Sequence, residues 1–216
     1  MSTATRIAQT LLEINAVGFA LEKPIRFKSG ILSPVYVDNR KFPYFPKAWQ
    51  AAIEGFQQLL QEKSLEYDII AGIETAGIPH SAALGYTLQK PSVFIRKAAK
   101  DHGTKKMVEG GEVQGKKVLL IEDHVTTGIS SLHGVDVLKA EGAEVVACLS
   151  ISSYGWPEAE RAFLAAQVPQ YALTSFAEIL AEAEKLGRIT AEQSQEIHGW
   201  LQDPQTWSAA HEEKNP

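Results

Sequence analysis

The chain has 216 residues, of which 44% are hydrophobic and 22% are charged. This length predicts one domain, or one with a small appendage, and the composition is that of a globular protein rather than a disordered or fibrous one. The formal net charge of −5 argues against a nucleic-acid-binding surface. No apolar stretch approaches the roughly 18 residues of a membrane span, and the N-terminus does not resemble a secretory signal. We therefore expect a cytoplasmic protein with neither a nucleic-acid partner nor a membrane partner.

The first 45 residues predict a helix followed by a small N-terminal cap. Apolar residues at helical spacing predict the helix over 5–14. Residues 25–38 alternate apolar and polar positions around Gly30 and Pro34, which predicts two short strands joined by a turn. Two further prolines then separate this cap from a helix predicted over 47–62.

Strands and helices alternate through the next part of the chain, the core at 46–155. Short apolar runs predict strands buried on both faces, and helices are predicted after the first and third of them. This alternation predicts an α/β fold with a parallel sheet, helices on both faces and right-handed crossovers. The predicted strands are 67–73, 92–96, 117–123 and 144–151, and the predicted helices are about 78–88 and 130–140.

Helices and one short strand near Tyr171 are predicted over 156–202, and the polar tail 203–216 is expected to be frayed. Residues 98–115 contain four glycines and no periodic pattern, so we expect a mobile lid there. Cys148 is the only cysteine and lies in an apolar strand, which predicts a core position. The whole chain, 1–216, is thus predicted to form a single domain.

The segment 116–131 places two carboxylates directly before a candidate phosphate site. An apolar strand ends in Glu122 and Asp123, and a turn rich in hydroxyl groups follows and opens a helix. Unpaired N–H groups at a helix start bind phosphate, and Gly128 allows close backbone approach. Because carboxylates repel phosphate, the two acids must face another part of the ligand, such as ribose hydroxyls or a metal ion.

This strand, the two acids and Thr-Thr-Gly resemble the signature of the type I phosphoribosyltransferases, which bind 5-phosphoribosyl 1-pyrophosphate (PRPP). The resemblance implies that the acids meet the ribose hydroxyls and that the loop holds the 5-phosphate. Ile129 stands where the family has a small residue. The PRPP-binding residues implied here are Glu122, Asp123, His124, Val125, Thr126, Thr127, Gly128, Ile129 and Ser130.

A basic cluster within the predicted lid stands out from the acidic chain. Cations on a lid suit a substrate with several negative charges. The string Arg-Lys-x-x-Lys-Asp-His-Gly over 96–103 resembles the catalytic loop of one branch of the family, the orotate phosphoribosyltransferases. By this resemblance Arg96, Lys97, Lys100 and His102 bind PRPP, and Lys100, His102 and Asp123 are catalytic. It also implies a homodimer in which Lys97, Lys100 and His102 complete the neighbouring subunit's site.

Residues 28–40 read Lys-Ser-Gly-x-x-Ser-Pro-x-Tyr-x-Asp-Asn-Arg, which resembles the N-terminal signature of the same branch. The resemblance implies that Lys28 contacts the pyrophosphate. It also implies that Phe27, Lys28, Ser29 and Gly30, together with Thr126, bind orotate.

A second helix-start anion site is predicted at Glu74-Thr75-Ala76-Gly77, after the first buried strand. In the family the corresponding loop holds the pyrophosphate. Some relatives carry a Tyr-Lys pair where this chain has Thr75 and Ala76, so backbone N–H groups and other cations must supply the charge here.

The resemblance as a whole implies the type I phosphoribosyltransferase fold. It further implies the transfer of phosphoribosyl from PRPP to orotate, which yields orotidine 5′-phosphate and pyrophosphate in pyrimidine (UMP) biosynthesis. Mg²⁺ is the expected cofactor, held mostly by PRPP rather than by protein side chains. Two alternatives on the same fold are a PRPP-sensing regulatory protein and a purine phosphoribosyltransferase.

Overall fold

The structure is a computed structural model that describes residues 1–27, 30–98 and 106–212. The helices of this part of the chain are α1 Thr3–Glu13, α2 Pro46–Glu62, α3 Gly77–Leu88, α4 Ile129–Ala140, α5 Pro157–Ala165, α6 Phe176–Lys185, α7 Ala191–Gln202 and α8 Pro204–Glu212, with a 3₁₀ helix at Asn39–Tyr44. Its strands are β1 Val17–Phe19, β2 Ile25–Arg26, β3 Leu32–Ser33, β4 Val35–Val37, β5 Ile69–Ile73, β6 Ser92–Ile95, β7 Val108–Glu109, β8 Lys117–Val125, β9 Glu144–Ser153 and β10 Gln170–Ser175.

Six strands form the central sheet in the order β10-β9-β8-β5-β6-β7. The first five are parallel to their neighbours, whereas β7 runs antiparallel to β6. The predicted parallel α/β sheet is therefore confirmed. The sequence did not predict β7, because a strand of two residues has too few positions to show a pattern.

Helices cover both faces of this sheet, as predicted. Along β8, Leu119 and Ile121 point into a core that also contains apolar residues of α1, α2, α6 and α7. Val118 and Leu120 point to the other side, into a second core with α4 and α5. Side chains of a strand alternate between its faces, so a strand that is apolar at every position needs a cover on each side. Cys148 lies in the second core and is fully buried, as predicted.

The N-terminal cap differs in detail from the prediction. Residues 25–38 form three short strands instead of two, and they belong to two separate ribbons: β2 pairs with β3, and β4 pairs with β1. Pro34 separates β3 from β4 and has no N–H to donate. Its carbonyl oxygen accepts a hydrogen bond from Ala20 N at 2.7 Å, which continues the pairing of β1 with β4 by one residue.

The second half of the predicted lid is part of the core, contrary to the sequence prediction for 98–115. Val108 and Val113 are 5% and 1% exposed, respectively, and β7 extends the sheet beside β6. Gly110, directly after β7, has a φ of 102°, a backbone conformation that glycine adopts readily and other residues rarely do. Residues 99–105, the centre of the predicted lid, lie outside the described residues.

The tail is also more ordered than predicted, because residues 204–212 form α8. Asp203 Oδ1 accepts a hydrogen bond from Thr206 N at 3.0 Å, and proline occupies the first helical position. Trp207 and Ser208 are buried against the rest of the protein. The Asp-Pro start signal is present in the sequence, but the polar composition that follows obscured it.

Within the described residues, no helix combines the length and the apolar character that a membrane span requires.

Gly77 fixes how closely α3 approaches β8, and this contact gives a test of the packing. A Cβ at Gly77 would overlap the carbonyl oxygen of Ile121, and neither backbone can move cheaply. We expect Gly77→Ala to lower the free energy of unfolding by about 1–3 kcal/mol. Thermal unfolding should then show a decrease in Tm of about 3–10 °C.

Gly199→Ala is the matched control, because Gly199 is exposed on α7 and has open space around its Cβ position. This change should stabilise the helix by about 0.5–1 kcal/mol. Equal effects of the two substitutions would contradict the close contact between α3 and β8.

Candidate active site

A cleft of about 880 Å³ opens where β5, β8 and β9 end at their carboxyl edge. This is the edge at which parallel α/β sheets bind ligands. Its walls come from the cap, the β5–α3 loop, the β8–α4 loop and the C-terminal helices. The lining residues include Phe27, Ile31, Tyr36, Arg40, Glu74, Thr75, Ala76, Lys97, Glu122 to Ser131, Tyr154, Trp156, Glu158, Arg161, Pro204 and Gln205.

The acid pair at the end of β8 lies in this cleft. Glu122 is 6% exposed, and its Oε1 accepts a hydrogen bond from Asp123 N at 3.0 Å. The cap holds the same stretch of backbone, because Asn39 Nδ2 donates to Asp123 O at 2.7 Å and to Ser152 Oγ at 2.8 Å. The acids are thus fixed to both the sheet and the cap.

Burial makes ionisation of this pair unfavourable. It raises the pKa of Glu122 well above its usual range, and the neighbouring charge of Asp123 raises it further. Burial also raises the pKa of Asp123. Lys97 opposes the shift at Glu122, and Arg40 opposes the shift at Asp123. Both carboxylates therefore gain from a positively charged group that binds beside them.

The β8–α4 loop, the phosphate cradle proposed from the sequence, lines the cleft and leads into α4. Residues Thr126 to Ser130 all line the cleft, and α4 begins at Ile129 with no side-chain cap within the described residues. The first N–H groups of α4 are thus available to an anion. Gly128 has a φ of 83°, and a Cβ there would lie 3.0 Å from the Phe163 ring, so glycine is required for conformation as well as for access.

The β5–α3 loop provides the second helix start, as predicted. Glu74, Thr75 and Ala76 line the cleft, and among the described side chains none caps the first turn of α3. Glu74 Oε2 accepts a hydrogen bond from Lys97 N at 2.8 Å. This contact brings the end of β6 and the Lys97 side chain to the same cleft.

Lys97 lines the cleft of its own chain. The implied role of Lys97 in a neighbouring subunit's site stays a prediction. The backbone of the Arg96-Lys97 segment is held at the sheet edge by two hydrogen bonds. Arg96 N donates to Met107 O at 2.9 Å, next to the Lys97 N contact with Glu74.

Arg96 is not among the described residues that line the cleft, and its contact with PRPP stays a prediction. Its guanidinium lies 3.6 Å from the Glu109 carboxylate on β7.

The residues predicted to bind orotate are only partly described. Gly30 lines an adjoining hollow of about 260 Å³ next to α8, while Phe27 lines the main cleft. Lys28, Ser29, Lys100 and His102 lie outside the described residues.

His124 lines the cleft as predicted, but it is not a cation. Burial lowers its pKa to about 4, so the ring is neutral at physiological pH. Nδ1 lies 2.8 Å from Ser152 Oγ, and Nε2 has no hydrogen-bond partner within the described residues. The ring meets the face of Tyr154 edge-on, with the centroids 4.5 Å apart.

Aromatic rings, which the sequence did not predict together, form the floor of the cleft. Tyr154 and Trp156 are stacked with centroids 4.9 Å apart, and Trp200 packs beneath both. The sequence pattern could not show that β9 and α7 bring these rings together below the acid pair.

Two further cleft cations were missed. Arg40 is bonded to Asp38 at 2.6 Å and lies close enough to Asp123 to affect its pKa. Asn39 and Arg40 are the last two residues of the signature over 28–40, so the sequence did contain a signal for both. Arg161 lies on α5 and lines the opposite wall. A single arginine on an amphipathic helix gives no sequence signal.

Comparisons with known proteins agree with this fold and site. The phosphoribosyl transferase domain model matches residues 45–159. The chain is 39% identical to the orotate phosphoribosyltransferase of Coxiella burnetii over 96% of its length and 99% of that protein. It is 37% identical to the enzyme of the same name from Halalkalibacterium halodurans, over 93% of this chain and 97% of that protein.

A solved structure supports the same assignment. The crystal structure of orotate phosphoribosyltransferase from Aeropyrum pernix superimposes with a TM-score of 0.74 at 27% identity, covering 85% of this chain and 99% of that one. The parallel sheet with its acid pair and phosphate cradle defines a phosphoribosyltransferase. The chain belongs to the orotate phosphoribosyltransferase family.

The raised pKa of Glu122 predicts a stability that depends on pH. The folded state holds this proton more tightly than the unfolded state, so an ionised Glu122 destabilises the fold above its folded pKa. We expect Glu122→Gln to raise Tm by a few degrees, about 2–4 °C, at neutral and alkaline pH. The gain should vanish near pH ~4, where the carboxyl group is protonated in both states.

Glu158→Gln is the control, because Glu158 is an exposed acid of the same cleft. Thermal unfolding of both variants over a pH series is the measurement. A Glu122→Gln effect that is independent of pH, or one matched by Glu158→Gln, would contradict the raised pKa.

Proposed function

We propose that this cleft transfers the 5-phosphoribosyl group of PRPP to orotate and releases orotidine 5′-phosphate and pyrophosphate in pyrimidine (UMP) biosynthesis. The observation that carries the proposal is the meeting of Glu122 and Asp123 with the uncapped start of α4 in one cleft. A ligand with a phosphate at one end of a ribose and a developing positive charge at the other fits this arrangement.

The acid pair acts on the ribose. As the bond between ribose C1 and the pyrophosphate oxygen breaks, positive charge develops on the ring and the departing oxygen keeps the electron pair. A carboxylate in a poorly solvated site stabilises that charge more than water does. Asp123 and Glu122 hold the ribose hydroxyls and favour the cation. The 5-phosphate is anchored on the first turn of α4 by backbone N–H groups and the Thr126 and Thr127 hydroxyls.

The leaving pyrophosphate needs positive charge on the other side of the ribose. Lys97 and the uncapped first turn of α3 supply it from the described residues. Arg40 adds a cation close to Asp123. Lys28, Lys100 and His102 complete the set in this proposal, as the resemblance implies.

Mg²⁺ is the cofactor that we propose. Among the described residues, no three His, Cys, Asp or Glu side chains converge as a metal cage. Magnesium binds through one or two carboxylates together with substrate phosphates and water, which fits the acid pair beside PRPP. PRPP oxygens would hold most of its coordination shell next to the acid pair, and its charge would offset the charge of the leaving group.

Turnover of competing bases tests the function directly. We expect PRPP-dependent consumption of orotate with stoichiometric release of pyrophosphate, and no consumption of uracil, hypoxanthine or adenine under the same conditions. Asp123→Asn should lower kcat with orotate by about 10²-fold or more with little change in KM, since it removes charge that acts in the transition state. Preferred turnover of hypoxanthine or adenine would instead support a purine enzyme.

We further propose that the enzyme is a homodimer in which Lys100 and His102 reach the neighbouring site. Exposed aromatic side chains support an interface. Tyr44, at the end of the 3₁₀ helix, is 82% exposed, and Tyr86, on α3, is 81% exposed. We propose the cytoplasm as its compartment, because a lone buried Cys148 suits a reducing environment.

Complementation between inactive chains tests the shared site. In a mixture of Lys100→Ala and Asp123→Ala chains, each mixed dimer carries one doubly altered site and one intact site. Random exchange makes about half of the dimers mixed, so roughly a quarter of wild-type activity should return.

Mixing Lys100→Ala with His102→Ala is the control, since each mixed dimer then has an altered lid at both sites. Activity that stays at the level of the separate variants after verified subunit exchange would assign the lid to its own chain.

A further inference from the structure

The C-terminal helix α8 packs against the β2–β3 ribbon, whose turn carries the residues assigned above to orotate. The ribbon is small, since each strand has two residues, and such a hairpin is marginally stable alone. Its turn is closed by Phe27 N donating to Ile31 O and Gly30 N donating to Phe27 O, both at 2.9 Å. The position of Phe27 and Ile31 in the cleft wall therefore depends on what holds the ribbon in place.

The C-terminal helices hold the backbone of β3 directly. Leu32 N donates to Ser208 Oγ of α8 at 2.9 Å, and Trp200 Nε1 of α7 donates to Leu32 O at 3.1 Å. Leu32, Ser208 and Trp200 are all buried. Two side chains thus pair the backbone groups that an edge strand would otherwise offer to a neighbouring strand.

An ion pair adds a contact at the end of α8. Arg26 donates from one guanidinium nitrogen to Gly30 O at 2.7 Å and to Glu212 Oε1 at 2.8 Å. The two side chains are 49% and 54% exposed, so water screens this pair strongly. The buried Ser208 contact is therefore the main attachment of the ribbon to α8.

The same helices also reach the cleft. The Phe27 ring meets Trp200 edge-on with centroids 6.3 Å apart, and both Phe27 and Ile31 line the cleft. Pro204 and Gln205, at the start of α8, line it as well. The start of α8 therefore lines the same cleft as Phe27 and Ile31.

We propose that α8 is a positioning element for the orotate side of the cleft, and that Ser208 is its principal positioning residue. The proposal rests on the function proposed above. Ser208 does not touch the substrate; it fixes Leu32, and through Leu32 it fixes Phe27 and Ile31, which line the cleft. The acid pair and the two helix starts are built on β8, α3 and α4 and do not depend on this contact; of the residues assigned to PRPP, Lys28 alone belongs to the ribbon.

Steady-state kinetics of Ser208→Ala test the proposal. Loss of the acceptor leaves Leu32 N unpaired and frees the ribbon, so KM for orotate should rise about tenfold. KM for PRPP should rise clearly less, by about threefold at most, because Lys28 is the one residue of the ribbon assigned to PRPP. kcat should stay within about twofold of wild type, because binding rather than the transition state is affected. Glu212→Gln should raise KM for orotate by less, about twofold, as expected for an exposed pair.

Thr206→Ala is the matched control, since it removes a hydroxyl from an exposed position of the same helix; both KM values should be unchanged. If Ser208 supported only folding, Ser208→Ala would lower the active fraction and Tm and leave both KM values unchanged. That result, or an equal rise in both KM values, would overturn the proposal. Wild-type protein that does not turn over orotate would instead refute the proposed function, so the two failures are distinguishable.

Discussion

Two carboxylates lie near the carboxyl end of β8, two to three residues before the strand ends, and the burial of Glu122 makes their charge costly to the folded chain. The pKa of each is raised by burial, which means that the site without a bound cation resists the ionised form that the chemistry needs. The surroundings reduce this cost without removing it. Lys97 and Arg40 provide positive charge from opposite sides, and Asn39 holds the backbone of Asp123. In the proposed function, a ribose that becomes cationic completes the neutralisation.

This constraint explains why the cap, the sheet and the C-terminal helices meet at one place. Arg40 and Asn39 come from the cap, Lys97 comes from the end of β6, and the aromatic floor comes from β9 and α7. Each element brings one property to the acids: counter-charge, backbone hydrogen bonds or exclusion of water. The starts of α3 and α4, neither with a described side-chain cap, also meet this cleft, and in the proposed function they take the two phosphate ends of PRPP.

The closeness of these parts depends on small residues at the packing contacts. Gly77 lets α3 lie directly against the β8 backbone, and Gly128 lets the cradle pass the Phe163 ring. Both positions bring a helix start close to the acid pair. In the cap, side chains instead hold the elements together: Ser208 and Trp200 form hydrogen bonds with the backbone N–H and carbonyl groups of Leu32.

The sequence by itself determined the parallel sheet, its buried strands, the acid pair and the phosphate cradle. These are local patterns, since a strand buried on both faces is apolar throughout and a helix start follows it within a few residues. Tertiary structure alone decided that Lys97 faces its own cleft while Arg96 turns to Glu109, because this depends on how β6 and β7 pair. It also decided that α8, polar by composition, folds onto β3, and that Arg161 and the Tyr154 and Trp156 rings line the same cleft as the acids. Such contacts join residues far apart in the chain, and local periodicity carries no information about them.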